Sequence, residues 1–282
     1  MQLRSIPTRS MRFFSLGQSA LHRQLNGIFH GTELVIMDID GTVLNNTIPF
    51  YWKHMNITRA TYTNKPHWSA NECLQYFEKI HKEHGASWIS RQHVMAAMIE
   101  VAQHDQLIEV AIQTFYQSFA NDPHAPSLFP HLKELMIRLR EQQIPVMAFS
   151  DTDHFLIDTL LAKNNIREYF HNIVGETRKP DPAILHAVLA QHPELPQTTG
   201  DHVVVIGDNL ATDGALAKAI DAKFIYFVGG VKTVQRQQAI DNVAVQQQNG
   251  CVPNDTIVID NFNELCVALC FASLDSCSNK FT

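Results

Sequence analysis

Cysteine, long apolar runs and basic charge are all scarce in this sequence, and each shortage excludes a class of protein. The 282 residues include five cysteines, too few for a disulfide scaffold, and no two of them form a Cys-x-x-Cys pair. No apolar run approaches the ~18 residues that a membrane-spanning helix needs. Lysine and arginine number 22 against 28 aspartates and glutamates, which argues against a strong nonspecific hold on nucleic acid. We therefore expect neither a nucleic-acid nor a membrane partner.

The cysteines and the amino terminus bear on location. Scattered, odd-numbered cysteines indicate reduced thiols, which favours a cytoplasmic protein, and we expect Cys266 and Cys270, four apart, to pack on one helix face. Residues 1–31 are rich in arginine and serine, and the first acid is Glu33. This composition resembles an organellar transit peptide. Import into an organelle is therefore the alternative to a frayed or surface-packed N-terminal extension.

Short apolar runs alternate with amphipathic segments over most of the chain. Strands separated by helices predict βαβ units, and hence an α/β fold with a doubly wound, Rossmann-like parallel sheet. The predicted strands are Glu33–Met37, Ile144–Phe149, Asn172–Gly175, His202–Ile206, Phe224–Val228 and Thr256–Ile259. The predicted helices among them are His131–Gln142, His154–Lys163, Pro182–Gln191, Thr212–Ile220 and Asn263–Ala272. Residues 231–255 are polar and glutamine-rich, and we interpret them as an irregular insertion or an excursion at the sheet edge.

Residues 47–125 interrupt this alternation with helical patterns alone: Ala70–His84, Ser90–His104 and Leu107–Ala120. The sequence therefore predicts an extension over 1–31, an α/β core over 32–46 and 126–282, and a helical cap over 47–125. Ligands bind at the carboxyl ends of strands in such sheets, so a cap inserted there is placed to act as a lid. Its aromatic residues are expected to be mostly core, with one or two lining the substrate pocket: Tyr51, Trp52, Tyr62, Trp68, Tyr76, Phe77 and Trp88.

Four short polar elements follow predicted strands. They are Asp38-Ile-Asp40-Gly41-Thr42, Ser150-Asp151, Arg178-Lys179-Pro180-Asp181-Pro182 and Gly207-Asp208 with Asp213. Taken singly, Ser150 is typical of an N-cap for a helix over 152–163, and Lys179 is typical of a surface lysine. Taken in order, each at the carboxyl end of a strand, the four elements indicate one shared site.

These elements resemble the motifs of the haloacid dehalogenase (HAD) superfamily, in its phosphatase branch with a helical cap after the first motif, of the phosphoglycolate phosphatase type. The resemblance covers about residues 32–275. It includes the intervening segments, since Leu128–Val146 looks like the helix and strand before the second motif, and Ile166–Gly175 like the strand before the third. The resemblance implies a HAD-like core, hydrolysis of phosphate monoesters and a requirement for Mg²⁺.

The resemblance also implies a role for each motif residue. Asp38 would be the nucleophile and Asp40 the general acid and base. Ser150 would hydrogen-bond the phosphoryl group, Lys179 would supply positive charge, and Asp208 with Asp213 would be the acidic pair of the fourth motif. An aspartate at position 40 favours phosphate esters, because the dehalogenase and phosphonatase branches lack one there. The chain departs from many members at Asp151, where they have asparagine.

Elementary chemistry agrees with these roles. A carboxylate approaches a negative phosphate ester against repulsion, and a hard divalent cation bridging the two removes that obstacle. We therefore predict a Mg²⁺ site formed by Asp38, Asp40, Asp208 and Asp213, with the alternative that Asp213 orients Lys179 or a metal-bound water. The predicted substrate-binding residues are Gly41, Thr42, Ser150, Asp151 and Lys179.

The sequence leaves three functions open. The first is a phosphatase that hydrolyses a small phosphorylated metabolite through an aspartyl-phosphate intermediate. The second is a phosphomutase on the same scaffold. The third is a non-catalytic phosphate-binding or partner-binding protein, against which the clustered carboxylates count, because their repulsion costs stability when no metal is bound.

Overall fold

A computed structural model describes residues 25, 28–69, 71–73, 75–76, 78–79, 91–102, 104–196, 199–229 and 233–278. Most of the predicted N-terminal extension and most of the predicted helix over 70–84 lie outside these residues. Among the described residues, none of the helices is both long and apolar enough to cross a membrane.

Within the described residues, six strands form one parallel sheet in the order β3-β2-β1-β4-β5-β6. The strands are β1 (Leu34–Met37), β2 (Val146–Phe149), β3 (Asn172–Val174), β4 (Val203–Gly207), β5 (Lys223–Phe227) and β6 (Ile257–Ile259). Each predicted strand is therefore found, with its ends shifted by two residues or fewer. The predicted doubly wound α/β fold is confirmed.

Helices separate the strands in the chain. They are α1 (Thr47–Thr63), α2 (Arg91–Ile99), α3 (Leu107–Asn121), α4 (Leu132–Glu141), α5 (His154–Lys163), α6 (Ala183–Gln191), α7 (Ala215–Ala219), α8 (Thr233–Gln248) and α9 (Asn263–Ser278). A π-helical turn, Leu210–Gly214, precedes α7. Residues 71–73, 75–76 and 78–79 are also helical.

Both faces of the sheet are covered, because alternate residues of β1, β2, β4 and β5 enter different apolar clusters. In β1, Val35 and Met37 belong to one cluster, and Leu34 and Ile36 to the other. The first cluster also takes in buried residues of α2 and α3, so the helical segment and the sheet share apolar contacts. Leu25, Ile28 and Phe29, at the end of the predicted extension, are buried in that cluster as well.

Two stretches that were not expected to be helical are helices. The interpretation of residues 231–255 as irregular is wrong, because α8 occupies 233–248, and α1 lies in a part of the cap segment with no predicted helix. Neither helix has a clear apolar stripe. The buried side chains of α1 are polar: Thr47, His54, Asn56, Thr58 and Arg59. The domain boundaries at 46, 126 and 31 stay a prediction.

Candidate active site

The site lies where the strand order of the sheet reverses. β1 pairs with β2 on one side and with β4 on the other, and chain direction carries all three toward the same edge. Asp38 directly follows β1, Ser150 follows β2 and Asp208 follows β4. Ligands of open α/β sheets bind at such a switch point. The fold itself therefore brings three of the four motifs to one place.

Lys179 lies at the centre of this edge. It is in the loop between β3 and α6 and is only 3% exposed. Its Nζ donates to Asp38 Oδ1 at 2.5 Å and to Asp213 Oδ1 at 2.6 Å. A buried ammonium is stable only when it is paired, and here two carboxylates supply the charge. The first, third and fourth motifs are thus joined by direct ion pairs.

Three carboxylates form an acidic cluster: Asp38, Asp208 and Asp213 each have an oxygen within 4.8 Å of the others. The π-helical turn carries Asp213 back toward the end of β4, where its Oδ2 accepts from the backbone N–H of Asn209 at 3.1 Å. Gly41 packs against Asp208 so closely that a Cβ there would overlap Asp208 Oδ2. Absence of a side chain at Gly41 therefore makes room for the cluster.

The crowding of charge shifts the pKa values of the cluster. Burial raises the pKa of Asp38 well above its usual range; Lys179 opposes this shift, while Asp213, Asp208 and Asp40 add to it. Burial, followed by the charge of Asp213, raises the pKa of Asp208 to about 7. Burial opposes the charged form of Lys179, but Asp38 and Asp213 outweigh it and raise its pKa. The cluster therefore carries more negative charge than Lys179 neutralises.

Asp40 has a different environment. Its Oδ1 accepts from the hydroxyl of Tyr51 at 3.0 Å, and its Oδ2 accepts from Thr152 Oγ1 at 2.5 Å. Burial and then the charge of Asp40 raise the pKa of Tyr51 well above its usual range, so the phenol is a donor at neutral pH. Asp40 lies outside the group of three converging carboxylates. The sequence motifs predicted Asp40 but neither of its two hydrogen-bond donors.

The second motif contributes two side chains, Ser150 and Asp151. Ser150 is buried, and its Oγ accepts from the backbone N–H of Thr152 at 3.1 Å. Ser150 does not cap α5, the role that is typical of it when taken singly, because α5 begins at His154 and Asp153 caps it by accepting from Leu156 N at 3.2 Å.

Asp151, the departure from the family pattern, faces the loop of Lys179. Its Oδ1 accepts from Thr177 Oγ1 at 2.7 Å and from the backbone N–H of Lys179 at 2.9 Å. The carboxylate therefore fixes the loop that carries the lysine. In the first motif, Thr42 is fully buried, and its Oγ1 has no hydrogen-bond partner among the described residues.

A cleft opens beside the cluster. Its volume is about 300 Å³, which is enough for a small ligand. Its lining joins Gly41 and Asp208 to side chains of β5 and α8, among them Tyr226, Gln238 and Asn242. This side of the cleft was not predicted from the sequence, because residues 231–255 were interpreted as irregular.

Oxygen donors that suit a hard divalent cation are therefore present. Asp38 and Asp208 are the best placed, because Lys179 and Asn209 N–H already occupy one oxygen each of Asp213. Both oxygens of Asp40 likewise accept hydrogen bonds. Excess negative charge and raised carboxyl pKa values in one cluster are the signature of a site that fits a cation.

The fold and the site together define a class: hydrolases whose parallel sheet carries carboxylates and a buried lysine at its switch point. The chain belongs to the haloacid dehalogenase-like hydrolase family, whose sequence model matches residues 35–227. This confirms the family resemblance that the motifs indicated.

Comparisons with individual proteins support the same family. The phosphoglycolate phosphatase of Photobacterium profundum is 22% identical over 220 residues, which is 71% of this chain and 87% of that protein. A Thermotoga maritima structure, assigned as a β-phosphoglucomutase, is 18% identical with a TM-score of 0.53, covering 84% of this chain and 98% of its own. A Bacillus subtilis structure assigned to the same superfamily, YfnB bound to magnesium, is 16% identical with a TM-score of 0.51, covering 71% and 89%. At these identities the two structures show a shared fold.

Proposed function

We propose that the chain hydrolyses a small phosphorylated metabolite through an aspartyl-phosphate on Asp38, with Mg²⁺ as cofactor. The family match and the phosphoglycolate phosphatase relative show that the chain is a phosphatase of the haloacid dehalogenase-like family. The observation that carries the proposal is the ion pair of Lys179 with Asp38 inside a cluster of three carboxylates. A nucleophilic carboxylate, a cation-binding group and a fixed positive charge lie together there.

Asp38 and Asp208 would hold the ion, and their raised pKa values and shared cluster support this assignment. When bound, Mg²⁺ supplies positive charge that neutralises phosphoryl oxygens and carboxylates alike. We assign Asp213 chiefly to orienting Lys179, because Lys179 Nζ contacts its Oδ1. Asp40 is assigned to proton transfer instead of metal binding, because it lies outside the group of three converging carboxylates.

The reaction divides into two displacements at phosphorus. In the first, a carboxylate oxygen of Asp38 forms a bond to phosphorus, the ester P–O bond breaks, and Asp40 donates a proton to the departing alkoxide. In the second, Asp40 takes a proton from water, whose oxygen attacks phosphorus and breaks the bond to Asp38. Inorganic phosphate leaves and both aspartates return to their starting states. Lys179 lowers the pKa of Asp38 against the effect of burial and balances negative charge in both steps.

The remaining motif residues would hold the phosphoryl group. Ser150 Oγ accepts a hydrogen bond from Thr152 N–H and keeps its own proton for a phosphoryl oxygen. Thr42 Oγ1 is the second hydroxyl assigned to this task, since it is buried and lacks a partner among the described residues. Gly41 contributes by its missing side chain. Asp151 acts through Lys179, whose backbone it binds.

A phosphomutase is the second candidate, favoured by the shared fold with the Thermotoga maritima protein. The two functions differ in the fate of the phosphoryl group. A substrate labelled in its phosphate gives labelled inorganic phosphate from a phosphatase and labelled organic product from a mutase.

We also propose a reducing, cytoplasmic location, with organellar import as the alternative. The free thiols of Cys73, Cys251 and Cys266 support it.

The test of the proposed function is a phosphate-release screen over sugar phosphates, nucleotides and phosphoglycolate, with and without Mg²⁺. We expect Mg²⁺-dependent release from at least one metabolite, and a loss of at least about 10³-fold in Asp38→Asn. Asp201→Asn is the matched control, because Asp201 is an exposed aspartate whose ion-pair partner is His202. Turnover of Asp38→Asn at the rate of the control would disprove the nucleophile assignment.

A further inference from the structure

The hydrogen bonds of Asp40 come from two separate parts of the chain. Thr152 lies in the α/β core directly after the second motif, whereas Tyr51 lies on α1, in the segment predicted as the cap. An aspartate side chain alone rotates about two bonds, and its two oxygens exchange places freely. Donors on both oxygens select one orientation and leave a lone pair on each oxygen for a proton in transfer.

The position of the Tyr51 hydroxyl is itself fixed by packing. The ring stacks on Phe119 with centroids 5.7 Å apart and an interplanar angle of 16°. Phe119 is fully buried and also contacts the ring of Phe50 at 5.0 Å. Aromatic pairs of this kind hold a ring in place beyond what burial alone provides. Tyr51 therefore presents its hydroxyl to Asp40 from a rigid base formed by α1 and α3.

We propose that Tyr51 is a positioning residue that sets the orientation of Asp40 for proton transfer to and from the substrate. This inference rests on the proposed function, because it gives Asp40 the task of protonating the leaving group. Tyr51 acts through Asp40 and makes no contact with the phosphoryl group in this assignment. Since α1 belongs to the predicted cap, the proton-transfer group is aligned only when the cap helix is in place.

The leaving group of the substrate discriminates this role from a structural one. An alkyl phosphate such as phosphoglycolate releases a strongly basic alkoxide, which must be protonated as it leaves. p-Nitrophenyl phosphate releases a weakly basic phenolate, which leaves without a proton. We expect Tyr51→Phe to lower kcat/KM about tenfold for the alkyl phosphate that the screen identifies, and less than about threefold for p-nitrophenyl phosphate. The substitution keeps the ring that stacks on Phe119 and removes only the hydroxyl.

Tyr62→Phe is the matched control. Tyr62 lies on the same helix, and its hydroxyl also makes a side-chain hydrogen bond, with Thr114 Oγ1 at 2.8 Å. The control is expected to leave kcat/KM unchanged for both substrates. A double-mutant cycle on the alkyl phosphate adds a second readout: in an Asp40→Asn background, adding Tyr51→Phe should cost nothing more.

The outcomes separate this inference from the proposed function. Equal losses on both substrates, no loss on either, or an additive loss in the Asp40→Asn background overturn the positioning role while the phosphatase assignment stands. A wild-type protein that releases phosphate from no substrate overturns the proposed function and this inference with it.

Discussion

At the scale of the residue, one lysine and three carboxylates determine the chemistry of the site. Lys179 contacts Asp38 and Asp213, and Asp208 completes the acidic cluster. One positive charge leaves the cluster negative, so a cation or a proton is needed to complete the balance. Packing in an α/β core requires no such cluster, and the repulsion within it lowers stability when no cation is bound. The arrangement is therefore explained by function.

Substitution of Gly41 tests the cluster, because this residue has a left-handed backbone conformation and its lack of a side chain leaves room for Asp208. Its φ is +83°, and a Cβ would overlap Asp208 Oδ2. We expect Gly41→Ala to displace the Asp208 carboxylate and raise the Mg²⁺ concentration for half-maximal activity about tenfold. The left-handed conformation should cost a further ~1 kcal/mol of unfolding free energy. Mg²⁺ titration of phosphate release and urea denaturation measure the two effects.

Gly31→Ala is the control for backbone strain. Gly31 has φ of +70°, and no atom lies within 4 Å of an added Cβ. The free energy of unfolding of the control should fall by a similar ~1 kcal/mol, because alanine is strained in the left-handed conformation. Its Mg²⁺ requirement should stay that of the wild type. If Gly41→Ala also keeps the wild-type requirement, contact with Asp208 is not what restricts position 41 to glycine.

The sequence predicts the residues of the site better than their contacts. Asp38, Ser150 and Asp208 follow strands, and parallel strands end at one edge, so their convergence follows from the fold class. The contact of Tyr51 with Asp40 depends on the direction in which α1 leaves the sheet. The return of Asp213 to the end of β4 depends on a π-helical turn. No sequence pattern indicates the direction of α1 or the π-helical turn.

At the scale of the element, polar interiors explain why two helices were not predicted. Helix α1 buries His54, Asn56 and Arg59, which hydrogen-bond to neighbouring groups instead of forming an apolar stripe. Helix α8 has Val243 as a buried apolar residue and is otherwise rich in glutamine. Amphipathic periodicity detects helices whose buried face is wholly apolar, whereas in α1 the polar residues are interleaved with Phe50, Tyr51, Met55 and Tyr62, which pack against the core. The strands, which are buried on both faces, were predicted almost completely.

Asp122 connects three helices at the end of α3. Its carboxylate pairs with Lys53 and lies 3.2 Å from His54 Nε2, both on α1, while its carbonyl accepts from Lys163 of α5. The segment predicted as the cap is therefore tied to a core helix through one residue. The hydrogen bond from Lys53, together with the backbone N–H of His124, holds the pKa of Asp122 well below its usual range, against the effect of burial.

This lowered pKa predicts a pH-dependent contribution to stability. A carboxyl with a lower pKa in the folded state stabilises it above the unfolded pKa of about 3.9, and the contribution is lost as pH falls below that value. We expect Asp122→Asn to lower the free energy of unfolding by about 1–3 kcal/mol at pH 7, with a smaller difference from wild type at pH 3. Urea denaturation at the two pH values measures it.

Asp158→Asn is the matched control for Asp122→Asn. Asp158 pairs with Arg167 at 3.0 Å, and both side chains are well exposed. An exposed pair should contribute no more than about 1 kcal/mol at either pH. Equal effects of the two substitutions at pH 7 would show that Asp122 is only another surface ion pair.

At the scale of the whole molecule, the strand order brings distant residues together. Asp38 and Asp213 are far apart in the chain, yet both contact Lys179, because β1 and β4 are neighbours and their loops share one edge. The helical segment between β1 and β2 reaches the site through Tyr51, and α8 lines it beside β5. The α/β core thus supplies the charged residues, while the helical segment between β1 and β2 and helix α8 border the site.

Binding of Mg²⁺ should therefore stabilise the whole fold, and more strongly at high pH. The pKa of Asp208 is about 7 in the folded protein and about 4 when unfolded, so between these values the folded state holds a proton that the unfolded chain releases. The contribution of Asp208 to the free energy of unfolding of the metal-free protein consequently falls as pH rises from 4 to 7. Mg²⁺ at 100 times its Kd should add about 2.7 kcal/mol at pH 8, but under about 0.5 kcal/mol at pH 5, where the proton competes. Thermal denaturation at both pH values measures this difference. Asp208→Asn should remove the Mg²⁺ effect at pH 8, and an undiminished effect in that variant would place the ion elsewhere.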